Sequence, residues 1–228
     1  MEKGEIGLQS KLEGKVIVFE GIDGCGKDTQ LELFYQRLRK EFPKLTILLT
    51  REPWDDPRSP DSMRIRRILK QTESEIDPGD GVIIPEKLQT MYVADRYIHW
   101  VKVILPGLEK KALVISNRER YSTMAYGIAF DLDIKEIQNW HKLLPEPDLI
   151  IYFKISTETA LKRLNKRAEN LEYFEKKKTL VKINQAYNFI LENNLLNNII
   201  PIDGEKKIED VQVELWKKVL RKLKIMYP

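Results

Sequence analysis

Residues 21–30 read GIDGCGKDTQ, and their types and spacing are those of a loop that cradles phosphate. Gly21, four residues, Gly26 and Lys27 follow an apolar run and precede a helical pattern. Glycines there let successive backbone N–H groups, from Ile22 through Asp23, Gly24 and Cys25, curl around phosphate oxygens, and the lysine reaches the β and γ phosphates. Position 28 departs from the pattern. A serine or threonine hydroxyl normally ligates Mg²⁺ there, whereas this chain has Asp28. A carboxylate is also a hard oxygen ligand suited to Mg²⁺. The plainer reading is an acid in the first turn of a helix, where the dipole favours it. Thr29 does not simply take over the hydroxyl's place, because one helical step turns it about 100° away. Cys25 reads as a small residue in the loop or as a thiol whose pKa the local positive field depresses.

Arginines form the second set: Arg51, Arg66, Arg96 and Arg118 at strand ends or in helices beside them, then Arg163 and Arg167 after the fourth apolar run. A guanidinium fork matches phosphoryl oxygens, and moving a phosphoryl group is chiefly a matter of positioning and neutralising charge. Each arginine taken singly reads equally well as a surface ion pair. Arg163 and Arg167, at i and i+4, share a helix face, and each also reads as a solvated helix charge.

These side chains need a frame. Five short runs, KVIVFE (15–20), LTILLT (45–50), ALVIS (112–116), DLIIYFKI (148–155) and NIIPID (198–203), read as strands apolar on both faces. Helical patterns lie between them, including a stripe of Leu31, Phe34, Leu38 and Phe42, and long patterns over 85–105 and 172–194. The alternation predicts an α/β fold, a five-stranded parallel sheet with helices on both faces and ligands at the carboxyl ends of the strands. No linker or repeat divides the 228 residues, so 1–228 reads as a single domain.

Composition narrows the classes. Lys plus Arg exceed Asp plus Glu by only 39 to 35, and the basic stretches at 175–178 and 217–224 alternate with apolar residues at helical spacing. That pattern is a solvated helix face rather than a nucleic-acid site. One cysteine, no signal-like leader and no long apolar run predict a cytoplasmic protein with no membrane span. No His/Cys cluster has metal spacing, and His141 has no chemical company in the sequence.

FEGIDGCGKDTQ, LLTREP, MYVADRYIHWVKVILPGLEKKALVISNRERYSTMAYG, PDLIIYF and IDGEKKIEDVQVELW, in this order over roughly 14–220, resemble thymidylate kinase. The phosphate loop alone fits many nucleotide-binding families; TREP with ADR…H and S.R…ST.AY is more specific. The resemblance implies a P-loop nucleoside monophosphate kinase fold with a helical lid at about 160–180. It also implies ATP as co-substrate, Mg²⁺, a pyrimidine nucleoside monophosphate as acceptor, and a homodimer. It places Asp23 near the acceptor sugar and phosphate, Arg51 and Arg118 on the acceptor phosphate, and Ser122 in the matching S.R…ST.AY stretch. It places Tyr92 against thymine, Arg96 on a thymine carbonyl, and Tyr126 against the sugar where it disfavours a 2′-hydroxyl. Without the resemblance, Tyr92 reads as a core aromatic. Gly24 stands where some relatives carry a catalytic arginine, which points to the lid for that charge and makes either Arg163 or Arg167 a candidate for the transferring phosphate. His99 fits a structural part of the ADR…H stretch.

Three departures bear on function. The family's aspartate, arginine and aromatic at the end of the third strand are here Asn117, Arg118 and Glu119; WDD follows REP; and AYGIAFDLD lacks the usual continuation. A carboxylate missing at 117 and gained at 28 suggests a charge swap around Mg²⁺. The altered loops keep two alternatives open: a kinase for another pyrimidine nucleotide or a deoxynucleoside, and a nucleotide-binding protein with impaired catalysis.

Overall fold

The computed structural model describes residues 13–54, 56, 59–70, 85–167, 173–193, 195 and 197–226. Five strands, β1 (Lys15–Glu20), β2 (Ile47–Arg51), β3 (Leu113–Asn117), β4 (Leu149–Lys154) and β5 (Ile199–Asp203), form one parallel sheet in the order β2-β3-β1-β4-β5. All five predicted strands are present, with ends shifted by one or two residues as fraying and loop geometry dictate. The helices are α1 (Lys27–Glu41), α2 (Pro60–Lys70), α3 (Pro85–His99), α4 (Leu105–Glu109), α5 (Arg120–Ala129), α6 (Ile134–His141), α7 (Thr157–Arg167), α8 (Lys177–Glu192) and α9 (Ile208–Met226). A π-helical turn, Trp100–Ile104, joins α3 to α4.

The unbroken apolarity of the strands has the expected cause. Ile17 and Phe19 of β1 enter one cluster with Phe34, Ile115 and Phe153, while Val16 and Val18 enter another with Trp100, Ile104 and Leu108. Successive side chains of a strand point to opposite faces, so both faces are dry along β1, β3 and β4, whereas β5 at the sheet edge buries Ile200 and Ile202 and exposes Pro201 and Asp203. In α1, Leu31, Phe34 and Leu38 are buried, whereas Phe42, just past its end, is 38% exposed. The basic stretch at 217–224 runs along α9, whose Val219 and Leu223 are buried and whose Lys217, Lys218 and Arg221 are exposed, as a solvated face requires.

Register sets the functional edge. Phe19 is level with Asn117, and Asn117 is level with Arg51. The chain leaving β1 as the phosphate loop and the chain leaving β3 at Arg118 therefore emerge side by side at the carboxyl end, where open α/β sheets bind ligands. The predicted lid span holds the end of α7, a 3₁₀ turn (Tyr173–Glu175) and the start of α8; residues 168–172 fall outside the described residues.

Candidate active site

The phosphate loop links β1 to α1, with Gly24 at φ 79° and Gly26 at φ 90°. A Cβ on Gly24 would come within 2.6 Å of the carbonyl oxygen of Ala160 in α7, so both the backbone angle and the close approach require glycine. The same crowding excludes an arginine at this position. Lys27 is buried, with Nζ 3.5 Å from Oδ1 of Asp23 and 3.7 Å from Oδ2 of Asp28. Cys25 is buried as well, and burial pushes its thiol pKa up despite the Lys27 charge. The depressed thiol that the sequence left open is thereby corrected: desolvation of the anion outweighs the field.

Arg118 organises the space beside the loop. It adopts a left-handed backbone, φ 72°, unusual for a residue other than glycine. Its Nη2 donates to Oδ1 of Asp23 at 2.6 Å, and its Nη1 donates to the Gly21 carbonyl at 3.0 Å and to Oγ of Ser122 at 2.9 Å. Oδ2 of Asp23 accepts from the Tyr126 hydroxyl at 3.1 Å. Burial opposes ionisation of Asp23, but Arg118 and Lys27 outweigh it and hold the carboxyl well below its usual range.

Glu20, the last residue of β1, was not singled out in the sequence. Its Oε1 accepts the backbone N–H groups of Glu119, at 2.8 Å, and Ser122, at 3.3 Å, which begin α5. Its Oε2 accepts from Ser122 Oγ at 2.7 Å and from the Tyr187 hydroxyl at 2.8 Å. A carboxylate from a distant strand thus caps α5 and meets its dipole. Burial nevertheless raises the Glu20 pKa, with Arg118 pulling the other way. The signal was present: a glutamate closing an otherwise apolar strand has to find donors inside.

A cavity of about 270 Å³ opens here. Among its lining residues are Lys27, Arg51, Arg66, Arg96, Arg118 and Arg167 against Asp23, Asp28, Glu52 and Glu175, a cationic excess suited to phosphate. Tyr92 and Arg96 reach it from α3, and Ser122, Thr123 and Tyr126 from α5. Tyr126 packs edge-on against Phe174 with ring centroids 4.7 Å apart. Tyr92 is half-buried, packed against the core cluster and on the cavity wall.

Arg96 is 1% exposed and locked in place. Its Nε donates to Oε2 of Glu52 at 2.6 Å, and its Nη1 donates to Thr123 Oγ1 at 3.1 Å and to Nε2 of His141 at 2.5 Å. His141 in turn donates from Nδ1 to the Ile137 carbonyl at 2.8 Å, which fixes the neutral tautomer. His141 had no partner in the sequence, and the fold corrects this by bringing α6 onto α3. His99 also serves the network, donating from Nδ1 to Glu52 at 3.3 Å while Nε2 accepts from Thr50 at 2.6 Å. Glu119, the departure after Arg118, is buried against Arg120, 2.9 Å away, and Arg96, 3.7 Å away. Burial opposes its ionisation, but those arginines lower its pKa.

Burial and then the Arg96 charge lower the His141 pKa from 6.5 to about 3. An unfolded chain therefore takes up a proton below pH 6.5 that the folded one refuses, and stability present above that pH falls as the pH drops toward 3. Each unit of pH costs about 1.4 kcal/mol. His141→Gln keeps an acceptor for Arg96 without titrating. Urea unfolding at a series of pH values is expected to show the variant losing on the order of 3 kcal/mol less than the parent between pH 6.5 and 4. Equal slopes would contradict a buried neutral histidine.

The remaining site residues separate. Nδ2 of Asn117 donates to Oδ1 of Asp28 at 2.5 Å. Partial burial opposes ionisation of Asp28, but Lys27 and the Asn117 hydrogen bond lower its pKa. Arg51 is exposed at the end of β2 and lines both the main cavity and a neighbouring one shared with Asp28, Trp54 and Asn117. Trp54 of the altered WDD loop is buried and stacks on His99 with centroids 5.7 Å apart. Asp95 holds the loop by accepting the Trp54 N–H at 2.7 Å and the Ser59 hydroxyl at 2.5 Å. Arg163 and Arg167 leave α7 in different directions. Arg163 donates to the carbonyls of Cys25 at 3.4 Å and Gly204 at 2.9 Å and is not among the residues lining the cavity, whereas Arg167 lines the cavity and pairs with Glu175. Thr29 is exposed on α1 and is not among the residues lining the cavity.

A sequence profile of thymidylate kinases matches residues 19–215. The chain belongs to the thymidylate kinase family. It is 32% identical over 202 residues to a probable thymidylate kinase of Sulfolobus acidocaldarius, covering 88% of this chain and 94% of that one. A thymidylate kinase of Halothermothrix orenii is 30% identical over 216 residues, covering 91% and 97%, and a probable thymidylate kinase of Pyrococcus horikoshii is 32% identical over 206 residues, covering 90% and 95%. The five-stranded parallel sheet is the P-loop nucleoside monophosphate kinase fold of thymidylate kinases, and membership makes this protein a phosphotransferase. Against the thymidylate kinase pattern, Glu119 replaces an aromatic residue with a charge that Arg96 and Arg120 neutralise.

Proposed function

We propose that the protein transfers the γ-phosphoryl group of ATP to thymidine monophosphate, with Mg²⁺. One observation carries the reading: Asp23 belongs to the phosphate loop, yet within one cavity it accepts both Arg118 and the Tyr126 hydroxyl. Donor-side and acceptor-side groups therefore meet at one carboxylate, which brings the two phosphate sites together as in-line transfer requires.

In this reading the loop N–H groups and Lys27 hold the ATP phosphates. Arg51 and Arg118 neutralise the acceptor phosphate. Tyr92 stacks on the base, and Arg96 offers it Nη2, the nitrogen its contacts with Glu52, Thr123 and His141 do not use. An arginine held this firmly rejects a base lacking the matching carbonyl, because its own desolvated donor would stay unpaired. Tyr126, fixed by Asp23 and Phe174, closes the sugar side against a 2′-hydroxyl. Arg167 is the lid arginine for the transferring phosphate, and Arg163 steadies the loop through the Cys25 carbonyl. The donors available fit magnesium: the Asp28 carboxylate is 61% exposed, and the buried Oδ1 of Asn117 lacks a hydrogen-bond partner. Both are hard oxygens. Asp28 would hold the ion, which when bound screens the phosphate charges. No helix among the described residues is long and apolar enough to cross a membrane. A cytoplasmic homodimer completes the reading, on family likeness and cysteine usage.

Coupled ADP-release assays with Mg·ATP test it, using dTMP, dUMP, UMP, dCMP and thymidine as acceptors. The expected outcome is dTMP-dependent turnover at about 1–100 per second, with UMP at least roughly tenfold worse. Preference for another acceptor would move the assignment to that nucleotide. Tight ATP binding without turnover on any acceptor would leave a nucleotide-binding protein instead.

A further inference from the structure

We propose that Asp28 and Asn117 are an exchanged pair, in which the carboxylate that P-loop enzymes carry at a neighbouring strand end has moved onto the phosphate loop. The inference rests on the kinase reading of the same site. P-loop NTPases hold Mg²⁺ between a hydroxyl on the loop and an aspartate elsewhere in the site. Here the loop position holds the carboxylate, and the end of β3 holds the neutral side chain. Although 89 residues apart in sequence, the two are in direct contact, with Asn117 Nδ2 donating to Asp28 Oδ1 at 2.5 Å.

Three features separate an exchange from a chance acid in the first turn of α1. The amide donor orients the carboxylate, so Oδ1 is engaged by Asn117 while Oδ2 stands 3.7 Å from Nζ of Lys27, at the mouth of the loop. The oxygen of the same amide, Oδ1 of Asn117, is buried with no hydrogen-bond partner. A buried acceptor in that state is satisfied by a donor that arrives with the ligand, and a metal-bound water is such a donor. Finally, aspartate at both positions would set two carboxylates at hydrogen-bonding distance, where one is driven to hold a proton. A neutral amide at 117 leaves the residue 28 carboxylate ionised and free of that repulsion.

The test reads metal binding directly. Mn²⁺ is titrated into protein saturated with a non-hydrolysable ATP analogue, with free Mn²⁺ followed by electron paramagnetic resonance. Parent, Asp28→Thr, Asn117→Asp, the double variant and Asp28→Asn are compared, and thermal unfolding confirms that each is folded. Asp28→Asn, which keeps shape and hydrogen bonding, is expected to weaken Mn²⁺ binding tenfold or more, and so is Asp28→Thr. Adding Asn117→Asp to Asp28→Thr is expected to restore affinity to within threefold of the parent, whereas the same change in the parent gives no such gain. An Asn117→Asp effect of equal size in both backgrounds overturns the exchange, as does parent-like affinity in Asp28→Asn. Either result leaves the kinase reading standing, because that reading is decided separately by the acceptor panel assayed with the parent.

Discussion

Arg118→Ala is expected to lower kcat/KM for dTMP roughly 10³-fold, the scale of removing an arginine that neutralises a phosphoryl group. It should also destabilise the fold by on the order of 3 kcal/mol, the lower end of the cost of breaking a buried ion pair. The two losses share a cause. The guanidinium binds Asp23 at 2.6 Å, the Gly21 carbonyl at 3.0 Å and Ser122 at 2.9 Å, so it ties the phosphate loop to α5. Its charge also lowers the pKa of Asp23 and offsets the burial of Glu20. Without it, the Asp23 carboxylate faces a cavity that has to accept phosphates, and the buried Glu20 loses its counter-charge. Arg118→Lys keeps the charge but loses the fork that reaches three partners at once. It is expected to regain most of the stability and less than about a tenth of the lost activity, since a point charge cannot reproduce bidentate geometry. Steady-state kinetics beside urea unfolding separate the effects. Parent-like kcat/KM in the alanine variant would remove Arg118 from the acceptor site.

The legible part of the molecule is the part set by local pattern. Continuous apolarity marked β1, β3 and β4 because both faces of the sheet centre are covered, and Gly21, Gly24 and Gly26 marked the loop because few residues satisfy its backbone angles. The illegible part depends on which elements cross in space. His141 lies 45 residues from Arg96, and only the packing of α6 against that network makes it an acceptor. Glu20 is 102 residues from the Ser122 hydroxyl it receives. Arg163 and Arg167 share a helix and a charge, and their i, i+4 spacing predicts a common target. In the fold α7 lies close against Gly24, and Arg163 bonds the Cys25 and Gly204 carbonyls while Arg167 lines the cavity. Asp28 and Asn117 fall between the two cases. Their types raised the question in the sequence, and the sheet register, by setting Asn117 level with Phe19 just before the loop, supplies their contact.

Lys27→Met is expected to separate function from stability more cleanly than any change at Arg118. In the folded protein Nζ lies 3.5 Å from Asp23 and 3.7 Å from Asp28, and the side chain is only 4% exposed. Methionine fills a comparable volume with an unbranched, apolar chain. Asp23 retains Arg118 and Tyr126, and Asp28 retains Asn117 and solvent. The fold therefore loses little, within about 1 kcal/mol by urea unfolding, as for changes that leave no charge buried alone. Turnover responds differently. Phosphate oxygens entering the loop would meet two carboxylates without the cation now placed between them, and charge developing in transfer would lose a preorganised donor. Removing one such donor costs about 10² to 10³ in kcat. Nucleotide affinity should fall too, and more steeply at low salt, where the unscreened carboxylates repel phosphate most. Rapid-quench measurement of the transfer step, with ATP binding followed at two salt concentrations, checks both halves. A variant that transfers phosphate at the parent rate would place the cation's work elsewhere in the loop. A variant that unfolds would show that Lys27 holds Asp23 and Asp28 apart as a structural counter-ion, with Arg118 and Asn117 unable to do so alone.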